Sequence, residues 1–297
     1  MRNYSIVVSF FLLWLSAFIS EQQQFLLGLV FILSFGILHG SNDIFLIQKT
    51  ENLSVTRSYL KIITLYILFI IINLLAFFYL PAVILLIFII FSAYHFGEQH
   101  WTNSRISTFR AGLKLFYFIY GSFILFLLFY LNSEETSQIV YTITNINYDF
   151  ALFSSTFNAF LILYLILFAF YFFKMKELRK VALLELLYLV VFTIVFAKTS
   201  LIWGFAIYFI IWHSIPSMFD QVTFIYDSIN FKNLKHYLIK ALPYWAISSV
   251  GIIILYVMFN STDFFYALFF SFLAAVTFPH SLIINRMFSK KRTKNNI

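Results

Sequence analysis

The sequence predicts an all-α membrane protein, a polytopic bundle of about ten transmembrane helices with both termini in the cytoplasm. Of its 297 residues, 62% are apolar and 11% are charged, and the mean hydropathy is +0.90. The apolar residues are gathered into runs about as long as a bilayer is thick. The basic residues, in contrast, are confined to short polar segments between the runs. This pattern is typical of multi-pass membrane proteins and not of soluble domains.

Ten apolar runs divide the chain, and each is interpreted as one spanning helix. Several are close to the lower limit of about 17 residues for a span. The first follows Arg2 and is interpreted as a retained helix, not as a cleaved signal peptide. Only Leu80 and Pro81 separate the third run from the fourth, which predicts a tight hairpin. The runs are 4–20, 25–48, 59–80, 82–98, 112–131, 151–173, 181–197, 200–219, 237–259 and 264–286.

The distribution of basic residues predicts the orientation, because cytoplasmic loops are enriched in Lys and Arg. With the N-terminus in the cytoplasm, Lys198 alone among the 20 basic residues falls outside. The long outer loop, 132–150, contains three acidic residues and no basic residue. The basic residues assigned to the cytoplasm are Arg2, Lys49, Arg57, Lys61, Arg105, Arg110, Lys114, Lys174, Lys176, Arg179, Lys180, Lys232, Lys235, Lys240, Arg286, Lys290, Lys291, Arg292 and Lys294.

The absence of a long polar segment predicts one membrane domain over residues 1–288, followed by a basic cytoplasmic tail over residues 289–297. The net charge of +8 comes from short loops, where it acts as a topology signal. We therefore expect the lipid bilayer, and no nucleic acid, as a partner. The sequence contains no Cys, which excludes disulfides, thiolate nucleophiles, zinc–thiolate sites and iron–sulfur clusters.

Four histidines lie inside apolar runs, where an ionisable side chain is costly and by default marks a site. They are His39 in FGILHGSNDIFLIQ, His95 in SAYHFGEQH, His213 in YFIIWHSIPS and His280 in TFPHSLIINRM. In the ten-helix topology they fall on helices two, four, eight and ten, which all run from outside to inside. Each lies past the middle of its helix. We therefore expect all four imidazoles at a similar depth in the cytoplasmic half of the bilayer.

Glycine and proline residues cluster beside these histidines. Glycine lets helices approach closely in a membrane, and proline kinks a helix. Irregular backbone inside a membrane is tolerated where it is buried in protein or lines a cavity. The clustering therefore favours a site at the histidines. The residues concerned are Gly36, Gly40, Gly97, Pro216 and Pro279.

Three carboxylates follow the histidines at short spacings. Asp43 is one turn after His39, Glu98 is three residues after His95, and Asp220 is seven residues after His213. A carboxylate that accepts the second ring N–H fixes the tautomer and the orientation of a ligating histidine. These three residues are therefore predicted to support the histidines without binding a metal themselves.

Two further histidines are interpreted differently. His100 and His236 lie near or in cytoplasmic loops and are expected to be solvated, although His100 is close enough in sequence to reach the site. Glu185, near the cytoplasmic end of helix seven, is expected to be either a snorkelling or a paired carboxylate.

Four neutral imidazoles at one depth suit a transition metal, because imidazole favours Fe, Zn, Cu or Ni. Zinc with four histidines would be a closed structural site, which is an unusual need for a bundle already held by the membrane. Ferrous iron would keep positions open for O₂.

These segments resemble a known family. HGSND, SAYHFGEQHW, WHSIPSMFD and PHSLIINRM are similar, in order and spacing, to the Brp/Blh family of bacterial membrane β-carotene 15,15'-dioxygenases. The resemblance implies an enzyme of the bacterial plasma membrane that cleaves the central double bond of β-carotene with O₂ and releases two retinals. It implies non-haem Fe(II) held by His39, His95, His213 and His280 as the catalytic centre. A retinal-binding rhodopsin is the downstream partner that it suggests.

One position departs from the family pattern. Some members place a second histidine one turn after the residue that matches His213, and this chain has Ser217 there. Serine is a poor iron ligand. Either His280 therefore completes the ligand set, or the site has three histidines.

Three other functions compete with a dioxygenase. A di-iron desaturase needs about eight histidine-type ligands, and the chain has six histidines in all. A bis-histidine haem protein normally has ligands in both leaflets, whereas these four are predicted at one depth. A membrane transporter with an intramembrane His/Asp relay for protons or metal ions stays open as the alternative.

Overall fold

The computed structural model describes residues 2–51, 56–102, 110–259 and 264–294, and every regular element among them is helical. Two short stretches have π-helical hydrogen bonding, π1 (Ile32–Gly36) and π2 (Tyr208–Ser214). The α-helices are α1 (Arg2–Ser16), α2 (Glu21–Phe31), α3 (Ile37–Gly40), α4 (Asp43–Glu51), α5 (Thr56–Tyr79), α6 (Pro81–Thr102), α7 (Arg110–Leu131), α8 (Ser133–Thr144), α9 (Phe150–Lys174), α10 (Lys176–Lys198), α11 (Leu201–Ile207), α12 (Ile215–Tyr226), α13 (Phe231–Phe259) and α14 (Phe264–Lys294).

The apolar helices match the ten predicted runs. Within the described residues, eight helical segments are long and apolar enough to cross a membrane, and two shorter apolar helices, Tyr4–Ser16 and Thr64–Tyr79, correspond to the first and third runs. The prediction of a polytopic helical bundle is therefore confirmed. The eight are Glu21–Thr50, Pro81–Thr102, Gly112–Leu131, Phe150–Lys174, Lys176–Lys198, Leu201–Tyr226, Phe231–Met258 and Leu268–Lys291.

Two connections differ in detail from simple loops. The hairpin at Leu80 and Pro81 is as tight as expected, because α5 ends at Tyr79 and α6 begins at Pro81. The segment 132–150 is predicted from the sequence to be a loop on the outer side, but it contains the twelve-residue helix α8. Acidic residues in the first turn of α8, Glu134 and Glu135, complement the positive end of its dipole.

Parts of the predicted polar segments lie outside the described residues. Among the basic residues assigned to the cytoplasm, Arg105 is one of these. The predicted tail begins as a continuation of α14, which runs to Lys294, and residues 295–297 lie outside the described part of the chain.

The chain forms two compact units. Unit one comprises Met1–Ile32, Ser92–Tyr141 and Ile146–Pro216. In it α7 packs along α9 and α10, α11 packs on α2, and α1 packs on α10 and π2. Aromatic rings fill the α7–α9 interface, and the rings of Phe123 and Tyr164 are stacked with centroids 5.0 Å apart. Stacked rings at this separation add to the free energy gained by burial.

Unit two comprises Leu33–Phe91, Thr142–Asn145 and Ser217–Ile297. In it α14 packs on α4 and α5, and α13 packs on α3 and α14. One core cluster of this unit consists mainly of aliphatic side chains from α4, α12 and α14. The buried core residues are Leu46, Val222, Ile225, Tyr237, Ile283, Ile284, Met287 and Phe288.

Candidate functional site

His39 lies in a stretch of unit two whose helical backbone is irregular. The π-helix π1 ends at Gly36, and the single turn of α3 carries His39 and ends at Gly40. Ser41 and Asn42 then form a turn before α4 begins at Asp43. Short π-helical segments are rare and are found frequently at functional sites. The irregularity predicted from Gly36 and Gly40 is thus present, and the His39 side chain is buried with 4% exposure.

His280 is the second buried histidine of unit two and follows Pro279 within α14. Its ring meets that of His39 edge to face, with centroids 4.8 Å apart and planes at 88°. One ring nitrogen of each lies within 4.8 Å of the other. Two imidazoles at this separation can direct nitrogen atoms toward one metal ion.

A hydrogen-bonded chain orients His280. Its Nδ1 lies 2.7 Å from Oδ1 of Asp43, and the Tyr66 hydroxyl donates to Oδ2 of the same carboxylate at 3.0 Å. Because Asp43 accepts the Nδ1 proton, Nε2 becomes the atom of His280 that can bind a metal. The sequence interpretation missed Tyr66, since a tyrosine among apolar residues carries no signal of its own.

Asp43 therefore supports a different histidine from the one expected. The spacing suggested a continuous helix with Asp43 one turn below His39, but the turn at Ser41 and Asn42 separates α3 from α4. Whether Asp43 and His39 share a face stays a prediction. The carboxylate reaches instead to His280, which is 237 residues away in sequence.

The other two histidines form a pair inside unit one. The rings of His95 and His213 meet with centroids 4.7 Å apart and planes at 77°. Phe96 and Phe209 also border His213, with the Phe209 ring almost parallel to the imidazole at 11° and 5.5 Å. His95 and His213 are 1% and 2% exposed. His213 lies within π2, so a second π-helical segment coincides with a predicted site residue.

Two glycines set the position of the helix segment that carries His95. A Cβ atom at Gly97 would lie 1.9 Å from the carbonyl oxygen of Tyr117, and one at Gly121 would lie 1.8 Å from that of Ala93. No side chain fits at either position. The backbones of α6 and α7 are therefore in contact on both sides of His95. This is the close helix approach that glycine at position 97 predicts.

Glu98 and Asp220 make contacts that the spacing did not indicate. Glu98 is fully buried, and its Oε1 accepts a hydrogen bond from the Tyr94 hydroxyl at 3.2 Å. Asp220 lies in unit two, where its Oδ1 is 3.3 Å from Nζ of Lys291. Their predicted roles beside His95 and His213 stay predictions.

The prediction that His100 is solvated is wrong, whereas solvation of His236 stays a prediction. His100 is only 5% exposed, and its Nε2 lies 2.7 Å from Oε2 of Glu185 and 3.2 Å from the Tyr120 hydroxyl. Helix α6 extends to Thr102, and this places His100 within the bundle and not in a loop. Glu185 is accordingly a paired carboxylate. His236 is exposed on α13.

The position that departs from the family pattern is also buried. Ser217 is 0% exposed, and its hydroxyl accepts a hydrogen bond from Nε2 of Gln221 at 3.2 Å. A hydroxyl engaged in this way is a weak candidate for binding iron.

The donor set of both pairs suits a transition metal. Neutral imidazole nitrogens are the ligands preferred by Fe, Zn, Cu and Ni. The fold and the buried histidines define a class, a polytopic helical membrane protein with histidine pairs inside its spanning helices.

The family follows from comparison with known proteins. The sequence model described as Beta-carotene 15,15'-dioxygenase matches residues 30–288, most of the chain, so the protein belongs to that family. The resemblance seen in the histidine-bearing motifs is confirmed. Neither a curated protein nor a solved structure matches the chain. Family membership supports a carotene dioxygenase acting in a lipid environment.

Proposed function

We propose that this protein cleaves β-carotene at its central 15,15' double bond with O₂ and yields two molecules of retinal. The observation that carries the proposal is the presence of two buried histidine pairs on the spanning helices of a chain that belongs to the carotene dioxygenase family. We further propose that His39, His95, His213 and His280 together hold one non-haem Fe(II).

The reaction balances without another reductant. The double bond is severed, each of its carbon atoms receives one oxygen atom from O₂ as an aldehyde, and the bond itself supplies the electrons. Bound Fe(II) would supply the redox chemistry that allows O₂ to react with the polyene.

The residues of this chain would bind and orient the ion. Asp43 holds the Nδ1 proton of His280, so that the ring presents Nε2. Phe96 and Phe209 border His213 and exclude water from that ring.

The substrate would enter from the lipid. A long polyene is soluble only in the bilayer, so its enzyme must take it laterally from there. Phe and Tyr side chains on the four histidine-bearing helices would form the slot for it. Central cleavage requires both ends of the polyene to be held at matched distances from the iron.

Production of retinal in cells tests the activity. Bacteria that make β-carotene should accumulate retinal when they express the protein with oxygen, and should retain β-carotene without oxygen. The purified protein should contain about one iron per chain and no haem. Longer apocarotenals would indicate eccentric cleavage, and unchanged carotene with iron bound and oxygen supplied would refute the dioxygenase.

The alternative is a membrane transporter, and one observation favours it. Tyr66, Asp43 and His280 form a hydrogen-bonded sequence of groups that can exchange protons, as in a relay, and Asp43 and His280 are buried. A transporter would move protons or metal ions in proteoliposomes and would contain no tightly bound iron. Metal analysis of the purified protein separates the two functions.

The proposed location is the plasma membrane of a bacterium, with both termini in the cytoplasm and a retinal-binding rhodopsin as consumer of the product. Reporter fusions test the orientation. A fusion after Asn132 should report the outer side and one after Arg179 the cytoplasm. A cytoplasmic signal after Asn132 would contradict the topology and the common depth of the histidines.

A further inference from the structure

The interrupted helix around His39 requires an external support. Between π1 and α4 the chain makes one turn of α-helix and then a turn at Ser41 and Asn42. The last carbonyl groups of a helix receive no hydrogen bond from within that helix, so they must find donors elsewhere. Inside a bilayer these donors must come from protein. The origin of the donors therefore shows what holds His39 in place.

The carbonyl groups at the end of α3 have identifiable donors. The Ser41 hydroxyl donates to the carbonyl of Ile37 at 2.8 Å, and the Ser41 amide donates to that of Leu38 at 3.3 Å. The carbonyl of His39 itself receives Nε2 of Gln221 at 2.9 Å and the hydroxyl of Tyr237 at 3.1 Å. Two side chains from α12 and α13 thus meet at the backbone of the histidine.

These two side chains also contact each other. The Tyr237 hydroxyl lies 2.8 Å from Oε1 of Gln221, so its single proton is shared between Gln221 and the His39 carbonyl. Asn42, in the turn after α3, also donates through Nδ2 to the backbone carbonyl of Tyr237 at 3.1 Å. Gln221, Tyr237 and Asn42 are at most 2% exposed. The network is therefore shielded from water, where hydrogen bonds have the greatest effect on geometry.

Helix α13 also supports the other side of the interruption. Nε1 of Trp245 donates to the carbonyl groups of Leu33 at 3.2 Å and Ser34 at 2.9 Å, both within π1. Trp245 and Tyr237 are eight residues apart, about two helical turns. One helix therefore contacts the backbone before His39 and the backbone at His39.

We propose that Gln221, Tyr237 and Trp245 form a backbone clamp that positions the imidazole of His39 against His280. The clamp acts on main-chain carbonyl groups and not on the ring, so it fixes where the Cβ of His39 projects. The ring separation of 4.8 Å between His39 and His280 is the quantity that it maintains. The role of the clamp in metal binding rests on the proposed function, whereas its action on the backbone does not.

Cobalt binding tests the clamp. Co(II) loaded into the purified protein gives an electronic spectrum that reports ligand geometry. Tyr237→Phe should lower Co(II) affinity by about 10-fold or more, at the lower end of what outer groups contribute, and should alter the spectrum. Its thermal unfolding midpoint should change little. The matched control is Tyr226→Phe, which removes a buried hydroxyl from the same core without contact to His39.

Hydrogen exchange gives a second readout that needs no metal. Tyr237→Phe should accelerate exchange of the backbone amides from Leu38 to Asp43, and Trp245→Phe should accelerate exchange within π1, while Tyr226→Phe should leave both unchanged. If Tyr237→Phe and Trp245→Phe match the control in exchange and spectrum, the clamp is refuted. If the parent protein binds no Co(II) or Fe(II) but exchange responds as expected, the clamp stands and the proposed function fails.

Discussion

The two histidine pairs are held by different physical means. In unit two, polar groups anchor the pair, since Asp43 contacts the ring of His280 and buried donors contact the backbone of His39. In unit one, aromatic rings border His213, and the backbone contact of α6 with α7 sets the place of His95. Polar anchors specify a tautomer and a direction, whereas ring packing specifies shape alone.

This contrast indicates how each pair should respond to substitution. Loss of one charge or proton donor should disturb the pair of unit two. Loss of ring shape should disturb the pair of unit one. Both pairs should fail alike only when an imidazole itself is removed.

Removal of an imidazole from either pair should have the largest effect. His39→Ala and His213→Ala should each lower iron content and retinal formation by more than about 100-fold, beyond the range typical of supporting residues. Iron analysis and product extraction measure this. The control is His236→Ala, which changes an exposed side chain and should be nearly silent. Full iron and activity in His39→Ala or His213→Ala would show that the site is misplaced.

Unit one also contains a buried polar pair, His100 with Glu185, five residues after His95 in the sequence. Loss of this pair should have the next largest effect. His100→Leu leaves the carboxylate of Glu185 buried without its imidazole partner, which typically costs about 3–5 kcal/mol. The free energy of unfolding in detergent measures this cost. The double variant His100→Leu with Glu185→Leu should recover most of the loss. Equal destabilisation in both variants would show that the pair does not act through charge.

Asp43→Asn tests the polar anchoring of unit two. The amide keeps one acceptor oxygen but loses the charge beside His280, so metal affinity should fall about 10–100-fold. Asp149→Asn, at the exposed N-terminus of α9, is the matched control. A loss as complete as in His39→Ala would show that Asp43 binds the metal directly. An unchanged affinity would show that the charge of Asp43 does not orient His280 for metal binding.

Phe209→Leu tests the aromatic packing of unit one. Loss of the ring parallel to His213 should cost about 0.5–1.5 kcal/mol of packing energy. If this packing orients His213 for metal binding, the metal affinity should fall roughly two- to tenfold. Phe157→Leu removes a ring stacked on Tyr130 and should lower stability without changing metal affinity. Equal affinities in the two variants would show that the Phe209 ring does not orient His213.

The smallest effect concerns the N-terminal end of α11, the helix that leads to π2 and His213. Oε2 of Glu135 accepts the Leu201 amide at 2.7 Å, and burial raises the pKa of Glu135. Between its ordinary and raised pKa values the folded state binds more protons than the unfolded state, so stability falls as pH rises. Glu135→Gln keeps the acceptor and should flatten this decline. If the unfolding midpoint depends on pH identically in the parent protein and in Glu135→Gln, then Glu135 does not cause the decline.

The helices and the histidines were predictable from the sequence. Ten apolar runs are visible because a bilayer requires long unbroken stretches of apolar side chains, and His39, His95, His213 and His280 are conspicuous because ionisable groups are rare there. The histidine-bearing motifs also indicated the carotene dioxygenase family. Each of these signals is local in the chain.

Only the tertiary structure decided which groups support which histidine. Asp43 contacts His280 across 237 residues, and Gln221 reaches the backbone of His39 across 182. The burial of His100 likewise depends on Glu185, on another helix. Hydropathy reports burial along one dimension, whereas a hydrogen bond depends on how helices pack in three. The chain therefore determined its helices and its imidazoles by itself, and packing determined their partners, because side-chain contacts between helices leave no regular spacing in the sequence.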